Sequence, residues 1–189
     1  ETDPEIYEVG SSNLGHIILY SILNALPGQV CDRAYLPAAD LAQRLKERDQ
    51  ALFGVESRWP LNAFDILGFS LSYELGATNI LQMLDLCRVP IRAADRGDRP
   101  LGDPDAPPLI FAGGPTATSN PEPYAAFFDF IVLGDGEELL PEIGLVLAEG
   151  KEAGLSRSDL LRDLALVPGV YVPSLYAPGA DGVRPGGIE

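Results

Sequence analysis
The chain has 189 residues, a net charge of -15 and an apolar content of 46%. That length supports one domain burying roughly 70% of its unfolded surface, and an acidic balance of 28 Asp and Glu against 13 Lys and Arg argues against a nucleic-acid partner, whose phosphates need cations to displace counterions. No apolar run reaches the ~20 residues of a membrane span, and Cys31 and Cys87 lack the paired spacing of a zinc or iron–sulfur site, so a reducing cytoplasm is the expected compartment.

In chain order, Glu1-Thr2-Asp3-Pro4 reads as a strand-to-helix loop with no apolar strand before it, so a first strand is expected to be missing and the chain to be a piece of a larger protein. Ser12 is the expected cap of a helix whose Leu14, Ile17, Ile18, Ser21, Ile22 and Ala25 follow helical spacing until Pro27-Gly28. A strand is predicted over Val30–Tyr35. An amphipathic helix follows from Asp40 to about Arg48 with Leu41 and Leu45 inward, then a short edge strand over Leu52–Val55. Asp65–Phe69 is continuously apolar after its first residue, as a strand covered on both faces should be. Gly76–Cys87 is the next helix, with Ile80, Leu81, Leu84 and Cys87 inward; Pro90–Ala93 is a candidate short strand and Arg96–Pro108 a loop. Leu109–Ala112 and Phe130–Leu133 complete the central strands around a short helix near Pro123–Phe127. Glu137–Glu149 is a long helix with Pro141 placed in its first turn. Ser156 caps a last helix to Val167, with Asp159 in the capping-box position. Val170–Val172 is a final strand, and the Gly- and Pro-rich residues 176–189 read as a linker after a domain spanning 1–175.

Alternating strands and helices predict an α/β, three-layer Rossmann-like (flavodoxin-like) doubly wound fold with a mostly parallel sheet. Loops after the carboxyl ends of such strands line a ligand crevice. Four glycine- or serine-bearing segments occupy those positions: Gly10-Ser11-Ser12-Asn13-Leu14-Gly15, Ser70-Leu71-Ser72, Gly113-Gly114, and Gly134-Asp135-Gly136-Glu137. Small residues there let a backbone approach a large flat ligand, although a turn explains each one taken alone. Neither GxGxxG nor GxxxxGK[ST] occurs, so the dinucleotide fingerprint and the P-loop are absent. His16, the one histidine, is read mainly as a packing residue in the first turn of its helix; no catalytic residue or metal ligand is assigned.

These segments, with Gly68-Phe69-Ser70-Leu71-Ser72-Tyr73-Glu74, Ala112-Gly113-Gly114-Pro115, Asn120-Pro121-Glu122-Pro123 and Leu133-Gly134-Asp135-Gly136-Glu137-Glu138, give the chain a family likeness. From about Pro4 to Val172 it resembles the amino-terminal, cobalamin-binding-like domain of an uncharacterised subfamily of radical SAM Fe–S oxidoreductases, of cyanobacterial type. The resemblance implies a corrin lying across the carboxyl ends of the strands. Gly10, Ser11, Ser12, Asn13, Gly15, Ser70, Leu71, Ser72, Gly113, Gly114, Gly134, Asp135, Gly136 and Glu137 would then be the cofactor-binding residues. It departs from the Asp-x-His-x-x-Gly cobalt-ligand motif of cobalamin domains. Gly15 matches the last glycine, but Gly10 and Ser12 stand where the aspartate and histidine would be, so cobalamin would bind without a histidine ligand.

The resemblance further implies a radical SAM domain of the same polypeptide as partner, holding the [4Fe-4S] cluster and S-adenosylmethionine. The CxxxCxxC spacing those groups need does not occur in this sequence, so the chain by itself is not expected to cleave S-adenosylmethionine. A vestigial module that only docks to that barrel, or a cofactor-free module binding a substrate or partner, is the alternative. Gly114→Val is expected to abolish any ligand binding while leaving the fold largely intact.

Overall fold
A computed structural model describes residues 2–179 and 182–185. Six strands form one sheet in the order β2-β1-β3-β4-β5-β6, parallel except for the last pairing. The strands are β1 (Thr2–Ile6), β2 (Ala34–Leu36), β3 (Ile66–Ser70), β4 (Leu109–Gly113), β5 (Phe130–Val132) and β6 (Val170–Tyr171). The helices are α1 (Tyr7–Gly10), α2 (Leu14–Ala25), α3 (Ala39–Glu47), α4 (Gly76–Cys87), α5 (Pro115–Ser119), α6 (Gly136–Ala153) and α7 (Arg157–Leu164). This is the expected doubly wound α/β architecture, with strand order reversing between β1 and β3.

Successive strand residues point to opposite faces, and each face has its own core. Leu67, Phe69, Ile110 and Ile131 join Ile80, Met83, Leu84 and Cys87 of α4 on one side. Leu109, Phe130 and Val132 join Leu140, Ile143 and Leu147 of α6 and Leu160 and Leu164 of α7 on the other. Gly68 belongs to this arrangement for a steric reason: a Cβ there would lie 2.3 Å from the Phe111 ring.

The opening segment departs from expectation. Thr2–Ile6 is a strand, paired to β2 at Thr2↔Ala34 and Asp3↔Tyr35 and to β3 at Thr2↔Phe69. Two of its three buried residues, Thr2 and Asp3, are polar, and hydrogen bonds offset that burial. The Thr2 hydroxyl donates to the Gly68 carbonyl at 2.6 Å, and the Asp3 carboxylate accepts from the Glu5 N–H and the Asn13 amide.

Other elements shift for local reasons. Asn13, not Ser12, caps α2, accepting from the His16 N–H, while the Ser12 hydroxyl donates to the Val9 carbonyl. The strand predicted over Val30–Tyr35 shortens because the Asn24 side chain takes both the N–H and the carbonyl of Cys31, and the Arg33 N–H goes to the Asp32 and Glu56 carboxylates. In α3, Ala42 and Leu45 are buried and Leu41 is exposed; in α4, Met83 takes an inward place expected of Leu81. The Leu52–Val55 strand reduces to a single bridge, Phe53↔Pro60, and a 3-10 turn over Ala93–Asp95 replaces the strand at Pro90–Ala93. The helix near Pro123–Phe127 is instead α5 followed by a 3-10 turn at Glu122–Tyr124. Because α6 begins at Gly136, Pro141 falls in its second turn, and the Glu137 carbonyl forgoes its intrahelical partner. Ser156 caps α7 as predicted, accepting from the Asp159 N–H at 3.2 Å.

Tyr176–Gly179 and Gly182–Pro185 pair as an antiparallel hairpin, β7 and β8, where a linker was expected. The remainder of that expected linker, residues 180, 181 and 186–189, lies outside the described residues.

At the amino end of the sheet sits a buried charge cluster. Asp129 accepts from the Arg96 guanidinium at 2.8 Å, from the Arg157 guanidinium at 3.0 and 2.8 Å, and from the Ile110 N–H at 2.7 Å. Further guanidinium N–H groups donate to carbonyls, those of Pro90, Ile91 and Phe127 for Arg96 and of Pro107 and Pro108 for Arg157. The loop that composition marks as irregular is thereby anchored to β5 and α7.

Candidate functional site
Three of the four loops meet at one crevice of about 650 Å³ over the carboxyl ends of β3, β4 and β5, and the fourth reaches it through its last residue. Ser70 stands at the end of β3, Gly113 and Gly114 at the end of β4, and Gly134 to Glu137 at the turn from β5 into α6. Gly15 and His16 enter from the first turn of α2, with Leu19 behind them. This is the position at which open α/β sheets present ligand crevices, beside the reversal of strand order.

The other predicted positions do not line it. Gly10 is buried, and a Cβ there would lie 2.8 Å from the Asp3 carboxyl and the Tyr35 ring. Ser11 ends α1, its N–H donating to the Tyr7 carbonyl. Ser12 is exposed, and Asn13 is committed to capping α2. Leu71 is fully buried, its N–H donating to Gly113 at 2.8 Å and its carbonyl accepting from Thr116 at 3.2 Å. Ser72 is exposed, its hydroxyl 3.4 Å from that of Ser70.

The two neighbouring glycines differ in kind. Gly114 has φ +103°, and a Cβ on it would come within 2.9 Å of the Leu71 carbonyl oxygen. Glycine is required there by the chain itself, so Gly114→Val would strain the fold rather than probe the crevice cleanly. Gly113 has no positive φ, and a Cβ on it would meet only Val132, at 3.7 Å. Among the described residues nothing explains a glycine at this strand end, yet a strand glycine carries a cost in stability. Its open side faces the crevice.

The electrostatics are one-sided. Asp135 and Glu137 present carboxylates at the rim, and Asp135 makes no side-chain cap bond to α6. Among the described residues no Lys or Arg lines the crevice. His16 is 2% exposed, and burial lowers its pKa to about 4 although the Asp3 carboxylate lies 3.7 Å away. The imidazole is therefore neutral near pH 7. Such a crevice can take flat apolar surface against Gly113 and Phe111, accept hydrogen bonds at Asp135 and Glu137, and repel phosphate-rich ligands. Packing at the helix edge is the reading the sequence favours for His16 and facing the crevice the alternative; it lines the crevice, and helical spacing alone does not tell a core position from a crevice wall.

Comparison with known proteins gives one positive result. No curated protein and no solved structure matches the chain, and among the described residues no helix is long and apolar enough to cross a membrane. A family model described as the N-terminal region of radical SAM proteins matches residues 15–173. That span covers the crevice from Gly15 to Glu137 and continues to the end of the sheet, and the chain belongs to the family of radical SAM protein N-terminal domains.

Proposed function
We propose that the crevice is the seat of a broad, nearly uncharged planar cofactor, a corrin of the cobalamin type, held for the radical SAM domain of the same polypeptide. The observation that carries this reading is Gly113, a strand-end glycine whose missing side chain serves no close contact among the described residues and which lines the crevice. The residues fit such a group. Gly113, Ser70 and Gly15 keep its bed low. Asp135 and Glu137 are acceptors suited to the amide N–H groups that fringe a corrin, and the lack of lining cations among the described residues disfavours di- and triphosphates. Bound there, cobalamin would supply a cobalt centre for methyl transfer, while the [4Fe-4S] cluster and S-adenosylmethionine would belong to the barrel. The chain's own residues would bind and orient the ring, and neutral His16 would form part of the wall.

The cofactor-free alternative rests on a specific departure. Gly10 and Ser12 stand where a cobalamin domain has its aspartate and histidine, and neither lines the crevice. Titrating the 189-residue chain with hydroxocobalamin and following the visible spectrum separates the two readings. A saturable change that is lost in Gly113→Val supports the cofactor. No change, in a protein folded by circular dichroism, overturns it in favour of a docking or partner-binding module.

A further inference from the structure
Beside the crevice, at the carboxyl ends of β1 and β3, apolar side chains stand in solvent. Tyr7 and Val9 of α1, Leu14 and Ile17 of the first turn of α2, and Tyr73 and Leu75 of the loop after β3 are all exposed, Leu14 to 67% and Leu75 to 78%. None of the six lines the crevice itself. The three segments are joined to one another. The Asn13 N–H donates to the Gly10 carbonyl and the Ser12 hydroxyl to that of Val9, tying α1 to α2. The Asn79 amide donates to the Pro4 carbonyl at 2.8 Å, and a Cβ on Gly76 would lie 3.3 Å from the Pro4 ring, which seats the start of α4 beside the end of β1. Scattered single apolar residues on a surface need no explanation, but a group gathered at one end of a sheet marks an interaction face.

Charge is segregated on the same face. Glu8 lies between Tyr7 and Val9, Glu74 between Tyr73 and Leu75, and Asp135 and Glu137 stand on the α6 side of the crevice, all four exposed. None of the 13 Lys and Arg falls within residues 5–17, 70–76, 113–119 or 133–138. Among the described residues no Lys or Arg forms an ion pair with any of these four carboxylates. The rim is therefore apolar and anionic together, with its charges uncompensated from within.

We propose that this rim docks the radical SAM domain of the same polypeptide, through a face of that domain that is apolar at its centre and bears Lys and Arg around it. The identity of the partner rests on the proposed function; the chemistry of its face rests on the rim. Charge complementarity selects such a face. A second copy of this chain would set carboxylate against carboxylate, and an anionic lipid surface or a nucleic acid would be repelled. A wholly polar face would leave Leu14 and Leu75 without apolar cover.

The test compares hydrogen exchange in the 189-residue chain and in the full polypeptide that carries it. Amides of residues 7–17 and 73–77 are expected to exchange at least about tenfold more slowly in the full polypeptide. That protection is expected to fall at least about threefold between roughly 0.05 and 0.5 M salt. Glu8→Lys with Glu74→Lys should abolish it while leaving the Tm of the 189-residue chain unchanged, and Leu75→Ser should weaken it. Equal exchange at the rim in the two proteins, or protection indifferent to salt and to both Lys substitutions, would overturn the proposal. So would a 189-residue chain that sediments as a dimer lost in Leu75→Ser, or that sediments with vesicles of anionic lipid. A rim protected in the full polypeptide, beside a chain that gives no hydroxocobalamin response, would support this docking face and overturn the cofactor alone.

Discussion

Two adjacent glycines should answer one substitution with opposite signs. At Gly113 an added Cβ meets Val132 at an ordinary 3.7 Å and requires no change of backbone. Gly113→Ala therefore acts mainly by removing freedom from the unfolded chain, worth about 0.4–1 kcal/mol of added stability, or roughly 1–4 °C in Tm for a chain of this size. At Gly114 the same methyl meets the Leu71 carbonyl oxygen at 2.9 Å, its carbon at 3.2 Å and its nitrogen at 3.3 Å, all at a φ of +103°. Leu71 cannot yield, because its N–H and carbonyl bind Gly113 and Thr116. Gly114→Ala is expected to cost about 1–3 kcal/mol, a fall of roughly 2–12 °C. Thermal unfolding followed by circular dichroism measures both, and hydroxocobalamin titration should show weakened binding in Gly113→Ala despite its stability. Shifts of the same sign in the two variants would refute the assignment of one glycine to the chain and the other to the crevice.

Other perturbations follow from charges the fold has buried. Asp129→Ala leaves Arg96 and Arg157 facing each other without their shared anion and should cost about 3–5 kcal/mol; a loss below about 1 kcal/mol in guanidinium unfolding would show the cluster to be dispensable. His16 has a folded pKa of about 4 against about 6.5 unfolded, so the unfolded state takes the proton more readily. Its contribution is fully present above about pH 6.5 and is lost as pH falls toward 4, by up to about 3 kcal/mol. The difference in stability between the parent chain and His16→Gln, measured across that window, should change by that amount; a constant difference would contradict a neutral buried imidazole.

The elements legible in the sequence are those whose signal is local. Leu109–Ala112 is read from an unbroken apolar run, α4 from helical spacing over Gly76–Cys87, and α7 from its Ser156 cap. The first strand was hidden because Thr2 and Asp3 are polar, and only their long-range partners make burial tolerable. The Arg96–Asp129–Arg157 cluster gives no local sign either, its members lying 33 and 28 residues apart. For the site, the loops after β3, β4 and β5 were found because small residues directly follow apolar strands. Most of the first loop stands away from that crevice: Gly10 packs against Asp3 and Tyr35, a reason for glycine that no spacing rule separates from ligand contact.

The antiparallel direction of β6 governs how the rest of a polypeptide could reach the crevice. β5 climbs toward that mouth, whereas β6 descends beside it, delivering Pro173 to Tyr176 next to Asp129 and Arg157 at the opposite pole. Under the proposed function, a domain that works over Gly113 from the Tyr176 side would have to cover the length of the sheet. That distance is about 17 Å for a five-residue strand, equivalent to at least five or six extended residues of chain.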